Sequence, residues 1–153
     1  MSEIARILDQ LHREFEGNAW HGDNVLTILK GITAVQAARK PLDKAHSIWE
    51  LVLHMTTWKR VVAERVQGNL PNVTDEMDWP RATETSELAW QQAIENLITA
   101  QEYLYKAVAK LDDARLSDKP GPESNSYYVQ IHGIIQHDLY HAGQIAILKK
   151  SFA

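Results

Sequence analysis

Apolar residues recur at helical spacing in several long stretches of this chain, and no stretch shows a convincing two-residue alternation. Ile4, Leu8, Leu11 and Phe15 predict a first helix of roughly four turns that ends near Gly17. Leu51, Met55, Trp58 and Val62 make the stripe of a second long helix. Ser47 and Glu50 open it as an S-x-x-E capping box, and it closes near Gly68. Trp90, Ala93, Ile94, Leu97, Leu104, Val108 and Leu111 predict a third from about Ser86, and a fourth starts near Ser126 and runs almost to the C-terminus.

The connections differ in character. After the first helix, Asp23 is placed to cap a short helix through Val25, Ile28 and Leu29 that stops at Gly31. Thr33 opens T-A-V-Q, a second capping box, and Pro41 forbids continuation much past Arg39. The stretch NLPNVTDEMDWPRATETS has no helical period and is long for a loop. Before the last helix, SDKPGPESNS is dense in Pro, Gly and Ser. The expectation is an all-α, four-helix bundle with short helices between helices 1 and 2 and a long connection between helices 2 and 3. A single domain over residues 1–153 accommodates it.

The last helix contains an anomaly. At about 100° per residue, Ile134, His137, His141, Ile145 and Leu148 share one face, so two imidazoles point where hydrocarbon is expected. His54 borders the stripe of the second helix. Three inward imidazoles left without partners in a dry core would each cost roughly 1–3 kcal/mol. An i, i+4 pair can also bring two nitrogens to one cation. His54, His137 and His141 are therefore the candidate metal ligands; the alternative is a set of hydrogen-bonded core histidines.

The other histidines are expected elsewhere: His132 faces away from His137, His46 precedes the Ser47 cap, and His12 flanks the first stripe. His21, beside Trp20 in NAWHGDN, is a candidate for a pocket mouth, with Trp20, Trp58 and Tyr140 as further lining candidates. Glu50 has a structural task in its capping box. Asp138 is turned from His137 by helical rotation, toward the surface or behind the ligand.

Composition narrows the chemistry. The chain has no cysteine, so a metal here takes N or O ligands, and disulfides, thiolate ligands and a cysteine nucleophile are excluded. With a formal net charge of −4 and no basic cluster, nucleic acid is not an expected partner. No signal-like or membrane-length apolar run occurs, so neither a membrane nor export is expected, and the cytoplasm is the default location. P-loop, GxGxxG, GxSxG and HExxH patterns are absent.

Two segments carry a family resemblance. HSIWELVLHMTTWKRVVAERVQG, with His54 followed a turn later by Trp58, and QHDLYHAGQI, with His137, His141 and then Gly143, Gln144 and Ile145, resemble the DinB-like (YfiT-like) metal-binding four-helix bundles. NAWHGDNVLTILKGITAVQAARKP is similar to that family's connection between helices 1 and 2. The resemblance implies a three-histidine divalent-metal site, a plausible homodimer and a crossover after Gly68. It does not specify a reaction, since the family includes thiol-dependent transferases, mycothiol-dependent maleylpyruvate isomerases and proteins of unknown activity.

Three neutral imidazoles leave a cation's charge uncompensated and a coordination position open. The resulting expectation is an enzyme that uses Zn or Ni to activate a low-molecular-weight thiol or water against a small-molecule substrate, as a transferase or hydrolase. Without cysteine in the chain, the thiol comes from a cofactor. The alternatives are a non-catalytic metal- or ligand-binding bundle, and a helical dimer with metal-free core histidines.

Overall fold

The computed structural model describes residues 1–152 and is all-helical among them. Four long helices, α1 (Glu3–Phe15), α4 (Ile48–Val66), α6 (Glu87–Ala109) and α7 (Tyr127–Lys150), are joined through the short α2 (Val25–Leu29), α3 (Ala34–Ala38) and α5 (Asp75–Asp78). A 3-10 turn at Asp113–Arg115 follows α6. Both α1 and α4 pack against α6 and α7, so the inward stripes of all four long helices meet in one interior.

Local chemistry accounts for most boundaries. Ser47 accepts from the Glu50 amide while the Glu50 carboxylate accepts from the Ser47 amide, and Thr33 and Gln36 do the same at α3. Ser86 and Ser126 cap α6 and α7 as their positions predict. Gly31 and Gly68 adopt φ of 80° and 89° just beyond α2 and α4, in the left-handed region that favours glycine.

Two boundaries differ from expectation. Asn24 rather than Asp23 caps α2, accepting from the Thr27 amide, while its amide nitrogen donates to the Gly17 carbonyl. The aperiodic connection after α4 contains one helical turn, α5, capped by Thr74. A four-residue turn is too short to display a 3.6-residue period.

The interior has two apolar halves. One gathers Phe15, α2, α3, Ile48 to Met55, Trp90, Leu97 and Ile145; the other gathers Ile4 to Leu11, Val62 to Val66, Leu104 and Ile131 to Ile135. Between them, in sequence order on every long helix, lies a buried polar residue: Glu14, Lys59, Gln101 and Asp138. His137 adjoins this layer through Asp138, the next residue on its helix.

Candidate metal centre

His54 on α4 faces His137 and His141 on α7, and one nitrogen of each lies within 4.8 Å of the others. The facing Nε2 atoms of His54 and His137 are 2.9 Å apart. His54 and His141 are buried and His137 is partly buried. The three stripe histidines thus converge on one point.

The outer nitrogens fix what the inner ones offer. His54 Nδ1 donates to the Asp78 carbonyl oxygen at 2.7 Å, and His141 Nδ1 donates to Gln144 Oε1 at 2.7 Å. Each of these rings therefore turns an unprotonated Nε2 inward. His137 Nδ1 is buried without a hydrogen bond and lies 3.5 Å from Asp138 Oδ1, itself unpartnered, so the same orientation suits it. Three lone pairs aimed at one point repel unless something positive lies among them. A single proton bridges one pair, whereas a cation with bonds of about 2.0–2.1 Å serves all three.

Burial also works against protonation. It lowers the pKa of His54 and pushes that of His141 down to about 4. In metal-free protein these groups stay neutral while unfolded histidine titrates near 6.5. Stability is then fully present above about pH 6.5. It falls as the pH drops toward 4, because the unfolded chain takes up protons that the folded chain refuses. Urea midpoints of metal-free protein at pH 7.5 and 5 should show this loss, and His141→Gln should reduce it.

The long connection clamps the site. Besides accepting from His54, Asp78 takes the Trp58 indole N–H on its carboxylate at 2.6 Å. Trp79 lies flat on the His54 ring at 3.8 Å, and His46 stacks on its other face at 3.5 Å. His46, expected away from the metal ligands, is half-exposed but forms the outer layer of this stack. Asp78 and Trp79 had no sequence signal, since their contact with His54 spans a segment without period.

Behind His137, Asp138 is fully buried and pairs with Lys59, itself 0% exposed. The surface position considered for Asp138 is thus corrected: α4, through Lys59, and α1 cover that side of α7. Lys59 also donates to Gln101 Oε1 at 2.6 Å, and Gln101 donates to the Leu11 carbonyl at 2.9 Å. Burial opposes ionisation of Asp138, but Lys59 and His137 overcome it and hold its pKa below the usual value. Burial pushes the nearby Glu14 carboxyl well above the ordinary range, against the pull of Lys59.

The remaining candidates separate. Trp58 lines a cavity of about 420 Å³ with His54, His137, Asp78, Arg65 and Gln130. Tyr140 is 66% exposed, edge-on to His141 at 5.1 Å. Trp20, 100% exposed, and His21 line a different concavity with Arg13, Ile135 and Leu139. Glu50 is occupied by the Ser47 amide and Lys40, and no carboxylate joins the three-histidine group among the described residues.

The family model of the DinB superfamily matches residues 18–145, a span that holds all three histidines. The chain belongs to the DinB superfamily. No curated protein matches it. In this DinB superfamily chain the matched span also takes in Lys59, Asp78, Trp79 and Asp138, while the whole of α1, with Glu14, lies before it. No helix of the described residues is long and apolar enough to cross a membrane.

Proposed function

We propose that this protein is a metal-dependent enzyme, of transferase or hydrolase type, built on a four-helix bundle whose long helix 2–3 connection closes over the centre. His54, His137 and His141 would hold a divalent cation, with Zn or Ni favoured by an all-imidazole donor set. When bound, such a cation supplies Lewis acidity that makes water or a thiol nucleophilic near neutral pH. A thiol would come from a small-molecule cofactor, because the chain has no cysteine.

The observation that carries this reading is the cavity of about 420 Å³ that reaches His54 and His137 and is walled by Trp58. A purely structural site is closed by a fourth protein ligand. Here Glu50 is committed to a helix start, and Asp78 and Asp138 lie against the outer Nδ1 atoms of His54 and His137, which favours the enzyme over the non-catalytic bundle. The protein's own residues orient the donors: Asp78 and Trp79 hold the His54 ring, Gln144 holds His141, and Asp138, anchored by Lys59, backs His137.

Metal analysis by plasma mass spectrometry, on protein purified without a metal-affinity tag, tests the proposal. About one first-row metal per chain is expected in the wild type and almost none in His54→Ala or His141→Ala. Metal-free wild type after reconstitution with Zn²⁺ and Ni²⁺ would overturn it.

A further inference from the structure

The cavity beside the histidines contains a cation without a counterion. Arg65, on the last turn of α4, lines it together with His54 and His137, and its guanidinium sits over the Trp58 ring at 5.5 Å. Among the described residues, no ion pair or hydrogen bond engages that guanidinium, and the Trp58 ring is its close aromatic neighbour. The other arginines with ion partners, Arg6, Arg13 and Arg115, are on the exposed surface. Burial lowers the Arg65 pKa, as happens when a guanidinium leaves water with nothing to compensate it.

A second group in the same cavity also lacks a partner. Gln130 is buried and donates its amide N–H to the Asn125 carbonyl at 3.0 Å, which identifies the other terminal atom as oxygen. That Oε1 is buried without a donor. The cavity's one carboxylate, Asp78, is already engaged by the Trp58 indole and lies 3.1 Å from His54 Nδ1. Apart from the exposed Asn125 carboxamide, the free polar valences are therefore a planar cation with several N–H donors and one buried amide acceptor, on a wall continuous with His54 and His137.

We propose that this cavity binds a small organic acid, with its anionic group on Arg65 and its reacting end at the three histidines. Guanidinium matches carboxylate with two parallel N–H donors, and its cation–π contact with the Trp58 ring keeps the fork beside the cavity wall. A ligand O–H or N–H near the acid group satisfies Gln130. The acid belongs either to the thiol cofactor or to the electrophilic substrate. The assignment of the reacting end rests on the metal-enzyme reading above; that of the anionic end does not.

Calorimetric titration of the Zn²⁺-reconstituted full chain with 3-mercaptopropionate and with its methyl ester reads the anionic contact. The acid is expected to bind about tenfold or more tighter than the ester in the wild type. In Arg65→Gln the two should agree within about twofold, at unchanged Zn²⁺ content, and Arg65→Lys should keep part of the preference. Equal binding of acid and ester to the wild type would overturn the proposal. So would an acid preference that survives Arg65→Gln, because the carboxylate would then be held by the cation instead.

An NMR titration of metal-free protein with butyrate separates this inference from the metal reading. Shifts of the Trp58 indole signal that disappear in Arg65→Gln would keep the acid site even if the histidines held no metal. Full Zn²⁺ occupancy with no Arg65-dependent acid preference would remove the acid site and leave the metal centre standing.

Discussion

Lys59→Met is expected to destabilise the fold by about 3–5 kcal/mol, because it keeps most of the side chain's apolar bulk but strands the Asp138 carboxylate in the interior. Lys59 and Asp138 are both 0% exposed, so no water can take the place of the lost ammonium. Against a total stability of roughly 5–15 kcal/mol, that loss is a large share. Removing the second charge as well, in Lys59→Met with Asp138→Asn, should restore much of it, since the penalty belongs to the unpaired charge and not to the absence of a salt bridge. Urea unfolding of the metal-free single and double variants measures both effects. A single variant as stable as the wild type would mean that the pair is not desolvated as the structure has it.

The second large effect is metal-linked stability. A cation that binds only the folded chain stabilises it by about 4 kcal/mol when its free concentration is 1,000 times Kd. For a chain of this length that raises the melting temperature by roughly 8–16 °C. Zn²⁺ at increasing concentration should therefore shift the wild type progressively, and His137→Ala should abolish the shift. His137 is the informative position, because its Nε2 faces the His54 Nε2 at 2.9 Å. Metal-free protein whose melting temperature ignores both Zn²⁺ and Ni²⁺ would favour hydrogen-bonded core histidines.

Both effects depend on the same polar layer. Glu14, Lys59, Gln101 and Asp138 tie α1, α4, α6 and α7 together, and Asp138 stands behind a ligand. Stability and site geometry are thereby coupled: a change that loosens Lys59 also frees the carboxylate that backs His137. The apolar halves on either side confine this coupling to one level of the interior.

Much of this was present in local chemistry. The Ser47–Glu50 and Thr33–Gln36 boxes, the stops near Gly31 and Gly68, and the serines before α6 and α7 follow from side chains that satisfy amides within a few residues. The three histidines were legible because a neutral ring on an apolar stripe is conspicuous. Lys59 was not, although it too lies on its stripe between Met55 and Val62, as does Gln101 between Leu97 and Leu104. Long polar side chains at such positions ordinarily reach out to water, and only the partners on other helices reveal that these are buried.

By itself, then, the sequence determined the long helices, their caps and the inward direction of His54, His137 and His141, since these depend on periodicity and on contacts spanning three or four residues. Tertiary structure alone decided that Asp78 and Trp79 cover His54, that Arg65 and Gln130 share its cavity, and that Trp20 and His21 line a different one. Those placements follow from how separate segments pack against one another, and a pattern read along one helix carries no information about which distant segment covers it.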